Sequence, residues 1–190
     1  MMFKGKILLA SQSPRRRELL KLAGCDFRVI SADVDETYLN SIPILDFPEH
    51  LALKKANTVA DKAEKGEVII AADTIVLKDG IIYGKPVDRA DAIQILSELS
   101  GAGHDVITGV CLLTQEKTKT FSELTKVYFN PLTEEQIIYY VDNFKPFDKA
   151  GAYAIQEWIG IVGINRIEGC YFNVMGLPMS RVWKELQNLF

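Results

Sequence analysis

Apolar residues fall along this chain in two alternating rhythms, and each predicts a kind of element. Short continuous runs rich in Val, Ile and Leu suit buried strands, whereas recurrences every three or four residues suit amphipathic helices. Residues 6–10 read as a strand, interrupted by Ser11-Gln12-Ser13-Pro14. Residues 15–23 then read as a helix with Leu19, Leu20 and Leu22 on one side and Gly24 in the closing position. Residues 27–30 form a second strand, and the acidic, two-proline stretch 33–48 has no period and reads as loop. Residues 50–64 predict a helix closed by Gly66. Residues 68–77 are apolar except at Asp73 and Thr74, which predicts a central strand broken or bent at that pair. Asp79-Gly80 is a hairpin signal with Ile81-Ile82-Tyr83 as the returning strand.

Further on, residues 89–99 predict a helix ended by Gly101, and 106–114 with 118–129 an antiparallel hairpin. Thr133 caps a helix through Val141, with Glu134 and Glu135 in the turn where the helix dipole favours acids. Residues 153–167 read as strand–turn–strand, and Pro178 opens a helix ending near Leu189. Helices and strands alternate with hairpins between them, which predicts an α/β fold with a mixed sheet. No repeat or linker divides residues 1–190, so a single domain is expected.

Composition narrows the classes. A chain of 190 residues makes one generous domain, or two small ones sharing a cleft. With 48% apolar and 25% charged residues it is no disordered tail, collagenous repeat or disulfide scaffold. A net charge of −3 argues against a protein that coats nucleic acid. Cys25, Cys111 and Cys170 are odd in number and unpaired in spacing, which suits a reducing, cytoplasmic setting. His50 and His104 cannot supply a histidine-rich zinc site, so a metal would be held by carboxylates, pointing to magnesium or manganese. No apolar run approaches a membrane span, so no membrane partner is expected.

Two segments break local rules. Ser13 and Pro14 specify a helix start, yet Arg15, Arg16 and Arg17 fill the first turn, where the dipole disfavours each by about 0.3–1 kcal/mol. Such crowding suits an anion site made of backbone N–H groups and guanidinium forks, or else a solvated basic face. Asp73 lies in an apolar run where a carboxylate needs a partner: a turn residue, or a metal ligand and base. Gly84-Lys85-Pro86 adds a cation and a place for close backbone approach. Acid, lysine and arginines together are what phosphoryl transfer needs. Asp33, Asp35 and Glu36 are a solvated loop or part of an oxygen-ligand site, and Lys54 and Lys55 read by themselves as surface; Gln156 ends a small-residue stretch that is either an ordinary turn entering a strand or a place where its amide reads a base edge.

Taken together these segments resemble the Maf family of nucleotide pyrophosphatases, named for septum formation. The matching stretches are Leu9-Ala10-Ser11-Gln12-Ser13-Pro14-Arg15-Arg16, Ala72-Asp73-Thr74, Gly84-Lys85-Pro86, Leu99-Ser100-Gly101 with His104, Asp148-Lys149-Ala150-Gly151-Ala152-Tyr153 through Gln156, and Val174-Met175-Gly176-Leu177-Pro178. They stand in family order across nearly the whole chain. The resemblance implies a twisted mixed sheet flanked by helices, with two lobes around a nucleotide-binding cleft. It implies hydrolysis of a nucleoside triphosphate to monophosphate and diphosphate with a divalent cation, Mg2+ or Mn2+. By position, Ser11, Ser13, Arg15, Arg16, Lys55 and Lys85 would meet phosphate, Glu36 and Asp73 would hold the metal, and Asp73 would be the catalytic proton acceptor. Arg15, Thr74 and Gln156 match the branch acting on dTTP and UTP, although Glu157-Trp158 follow where small residues are common. The alternatives are the 7-methyl-GTP branch and a non-catalytic regulator of cell division that uses residues 15–17 as its contact. Family members are often dimeric, but no exposed apolar stripe marks an interface, so the sequence leaves monomer and homodimer both open; nucleic acid is not an expected partner.

Overall fold

The computed structural model describes residue 3 and residues 5–38 and 41–189, so residues 39 and 40 of the expected acidic loop lie outside the described residues. The chain divides into two compact units, each discontinuous in sequence: residues 1–73, 108–123 and 176–190, and residues 74–107 and 124–175.

The first unit is built on two parallel crossovers. Strand β1 (Lys6–Leu9) leads through helix α1 (Pro14–Leu22) to β2 (Asp26–Val29), and on through α2 (Phe47–Thr58) to β3 (Glu67–Lys78). β1 lies between the other two, with Lys6 opposite both Asp26 and Glu67. Strands buried on both faces need continuous apolar runs, and Ile7, Leu8 and Leu9 are fully buried. α2 presents small residues to the sheet: Ala52 and Ala56 pack with Leu8, Ile69, Ala71 and Cys111. Gly109 permits the closest approach, because a Cβ there would lie 2.1 Å from the Glu49 backbone nitrogen. That glycine is on β5 (Gly103–Leu113), which with β6 (Thr118–Phe129) gives one end to each unit.

The second unit holds the remainder of β3, the returning β4 (Ile81–Tyr83), α3 (Arg89–Leu99), α4 (Glu134–Phe144), α5 (Trp158–Gly163), β7 (Ile164–Glu168) and α6 (Tyr171–Val174). Thr133 and Gln136 form a capping box on α4. Leu96, Leu99, Tyr140 and Ile159 are fully buried in this unit. The C-terminal α7 (Met179–Leu189) returns to the first, where Arg181 lies 4.5 Å over the Phe121 ring. The sheet order is β2-β1-β3-β5-β6-β7, with β4 paired to β3; β1–β3 are parallel and the β3–β4 and β6–β7 pairs antiparallel. This is the expected α/β mixed sheet with helices. Among the described residues no helix is long and apolar enough to cross a membrane.

Four expectations need correction. Residues 153–167 hold helix α5 before β7 instead of two strands. A Cβ on Gly160 would lie 1.7 Å from the Ile155 carbonyl oxygen, so the chain folds back too tightly for extended pairing, overriding local β preference. α2 starts at Phe47, because Pro48 sits in the first turn where no N–H is needed, and ends at Thr58 before a short 3-10 turn. β3 runs unbroken through Asp73 and Thr74. Leu22 is 74% exposed; the buried face of α1 is Arg16, Leu19 and Leu20.

Candidate active site

At the end of β1 the chain turns into α1 through two serines with different tasks. Ser13 caps the helix, its hydroxyl facing the Arg16 N–H at 3.5 Å. Ser11 accepts from the Ser13 N–H at 3.2 Å and from Nη1 of Arg16 at 3.2 Å. Arg16 is buried, and its Nε donates to the Gly176 carbonyl at 2.8 Å. Burial pulls its guanidinium pKa down and neighbouring Arg15 adds to this, while Asp73 and Glu36 oppose it. The three arginines thus part ways. Arg16 is drawn inward, Arg15 is half-buried, and Arg17 is exposed with its Nη2 on the Gln12 carbonyl at 3.3 Å.

Lys55 brings the acids together. Its Nζ lies 2.6 Å from Oδ1 of Asp73 and 2.6 Å from Oε1 of Glu36. Asp73 and Lys55 are buried, whereas the Glu36 side chain is 42% exposed. This explains how β3 carries an aspartate without breaking: the charge is desolvated but paired. The Glu36 loop is shaped locally. Asp35 accepts from the Thr37 N–H at 2.9 Å and hydroxyl at 2.6 Å, bonds that pull its carboxyl pKa down. Lys54, the exposed neighbour of Lys55, ties the same loop through the Asp35 carbonyl at 2.9 Å.

The first unit therefore gathers Ser11, Ser13, Arg15, Arg16, Glu36, Lys55 and Asp73. Thr74, Lys85 and Gln156 belong to the second. Lys85 is exposed and lines a recess of about 220 Å³ with Tyr83, Asp91, Gln94 and Glu98. Gln156 has a buried Oε1 without a hydrogen-bond partner. Lys55, which helix position by itself suggested was surface, is buried; in the sequence only the family resemblance singled it out. Gly176, whose carbonyl receives Arg16, carried no expected role, nor did Tyr140 and Glu157, which bond to each other beside Gln156. His104 is buried against the Tyr153 hydroxyl at 2.7 Å.

Among the described residues no three His, Cys, Asp or Glu side chains cluster as a metal cage. Glu36 and Asp73 nonetheless fit magnesium or manganese, because such ions take one or two carboxylates and complete their shell with water and substrate phosphate. Lys55 holds the two carboxylates in the same neighbourhood against their mutual repulsion.

A family described as Maf-like protein matches residues 6–189. A Bacteroides fragilis protein named dTTP/UTP pyrophosphatase is 49% identical over 185 residues, covering 97% of this chain and 96% of the relative. A Christiangramia forsetii protein of the same name is 42% identical over 184 residues, covering 97% and 94%. Among solved structures the Staphylococcus aureus Ham1 protein is similar in fold, with a TM-score of 0.56 at 18% identity, covering 97% of this chain and all of that one.

Proposed function

The chain belongs to the Maf-like protein family, and we propose that it is a pyrophosphatase hydrolysing dTTP and UTP to the nucleoside monophosphate and diphosphate. Relatives that carry that name at 49% and 42% identity favour this over 7-methyl-GTP and over a non-catalytic regulator of septum formation. The observation that carries the chemistry is the pair Asp73 and Glu36 converging on the Lys55 ammonium, with buried Arg16 in the field of both carboxylates.

In this reading Ser11, Ser13, Arg15 and Arg16 receive the triphosphate at the start of α1, where backbone N–H groups and guanidinium groups favour anions. Lys55 and Lys85 offset its charge. Glu36 and Asp73 would hold Mg2+ or Mn2+, which when bound polarises phosphoryl oxygens and neutralises developing charge. Asp73 orients a water and takes its proton as the water oxygen attacks the α-phosphorus; the bond to the bridging oxygen breaks and diphosphate leaves. Arg15, Thr74 and Gln156 select the pyrimidine. Residues 1–190 act as one enzyme domain, a cytoplasmic homodimer that binds neither nucleic acid nor membrane.

The test is product analysis with dTTP, UTP, CTP, GTP and 7-methyl-GTP, magnesium or manganese being supplied. Diphosphate from dTTP and UTP is expected, and release of single phosphates contradicts attack at the α-phosphorus. Asp73→Asn should lower turnover by about 10²–10⁴, the span of general-base help. Undiminished turnover in that variant removes Asp73 from the role.

A further inference from the structure

Glu36 stands on an exposed loop, yet the main chain is fixed on both sides of it. On one side the Asp35 carbonyl accepts from Nζ of Lys54 at 2.9 Å. On the other the Thr37 N–H donates to the Asp35 carboxylate at 2.9 Å, and the Thr37 hydroxyl donates to the same oxygen at 2.6 Å. The loop is seated on α2 further along as well. The Tyr38 ring meets Phe47 edge-on at 4.9 Å, and its hydroxyl donates to the Ile42 carbonyl at 2.8 Å. Phe47 and Lys54 are seven residues apart, about two helical turns, so one side of α2 holds the loop at two points. Lys55, the next residue, reaches the Glu36 carboxylate itself. That contact cannot keep Glu36 in place for a metal, because an ammonium and a metal cation compete for the same carboxylate oxygens. The bonds that Lys54 and Asp35 make to the main chain are not in competition, and they persist when the carboxylate changes partner.

We propose that Lys54 and Asp35 are positioning residues that fix the main chain around Glu36 and so raise the affinity of Glu36 and Asp73 for a divalent cation. The inference rests on the reading above, in which these two carboxylates would hold Mg2+ or Mn2+. Glu36 is open to such an ion, its side chain being 42% exposed. Partners that orient a metal ligand without touching the metal govern affinity strongly. Here the two partners carry opposite charges, which separates positioning from plain electrostatics. By charge alone, loss of the Lys54 ammonium should tighten the binding of a cation. By loss of its bond to the Asp35 carbonyl, the same change should weaken it.

The experiment measures the Kd of Mn2+ alone, from the electron-spin resonance of the unbound ion, in the native protein and in Lys54→Met, Asp35→Ala and Asp35→Asn. Lys54→Met and Asp35→Ala should each raise Kd about three- to ten-fold. Asp35→Asn keeps an oxygen for the Thr37 N–H and should restore most of the affinity that Asp35→Ala loses. In a Glu36→Gln background neither Lys54→Met nor Asp35→Ala should change Kd further, because both act through Glu36. Tightened or unchanged binding in Lys54→Met overturns the inference. So does an undiminished effect in the Glu36→Gln background, or an Asp35→Asn variant as weak as Asp35→Ala. Lys54 and Asp35 are exposed, so the melting temperature without metal should not move, and a lost fold does not stand in for a lost affinity. Native protein that binds no Mn2+ removes Glu36 and Asp73 as its holders, and this inference with them; the product analysis above tests the hydrolysis separately.

Discussion

Replacing Lys55 by Met keeps much of the stem and deletes the ammonium on which two acids converge. At 2.6 Å a unit-charge pair in a medium of effective dielectric 20 interacts by about 6 kcal/mol before desolvation is subtracted. Removing one partner of a buried pair costs about 3–5 kcal/mol, since the other charge is left desolvated. That range applies to Asp73, whose side chain is 12% exposed. Glu36 is 42% exposed, so its share falls to the surface value of about 0–1 kcal/mol. The expected loss is therefore about 3 kcal/mol, set by Asp73. For a chain of this length that lowers the melting temperature by about 6–12 °C. Calorimetry or urea unfolding measures it, and a cycle with Asp73→Asn assigns it. In the double variant the buried charge is gone as well, so much of the loss should vanish. A coupling energy under about 0.5 kcal/mol would refute the reasoning, because it would mean that Lys55 and Asp73 act independently. Magnesium should raise the melting temperature of Lys55→Met more than that of the native protein, since Glu36 and Asp73 then lack their ammonium.

Burial pushes the His104 pKa down from 6.5 to about 4. Its folded value lies below the unfolded one, so the stabilising contribution is complete above pH 6.5 and is lost as pH falls through 4. The integrated effect is about 3 kcal/mol, and it should disappear in His104→Asn when unfolding is followed from pH 7 to 4. Gly109→Ala places a Cβ 2.1–2.4 Å from backbone atoms of Pro48 and Glu49, at the start of the helix that carries Lys55. It should cost at least about 1–3 kcal/mol, read by urea unfolding; an unchanged midpoint would show that α2 does not pack on β5 as described.

Where the chain's own signals were strong, sequence and structure agree. Residues 89–99 and 118–129 match α3 and β6 at both ends, because apolar period, caps and turn residues there favour the same element. The Ser13 cap with Pro14 behind it placed the start of α1 for the same reason. Residues 153–167 failed because Ile and Val around glycine suit a strand locally. The fold-back of Gly160 on Ile155 is a contact no local rule contains. Leu22 failed differently: a helix of nine residues shows too few turns for its buried face to be read, and that face takes Arg16 with Leu19 and Leu20 in place of Leu22.

The amino-acid order by itself determined the class of fold, the capped start of α1 with arginines crowded into its first turn, and the conflict at Asp73. All of these follow from neighbours along the chain, whose caps, periods and charges act at short range. It also narrowed the chemistry, since acid, lysine and arginine in six family-like segments leave few other readings. Only the tertiary structure decided which charges meet. It buried Lys55, set it 2.6 Å from Asp73 and Glu36, and left Arg17 outside while drawing Arg16 in. Burial and pairing belong to surfaces that come together from distant segments, and residues 16, 36, 55 and 73 share no local pattern. The bonds of Tyr140 to Ala154 and Glu157 are of the same kind: they exist only once α4 packs against the turn that carries residues 154–157.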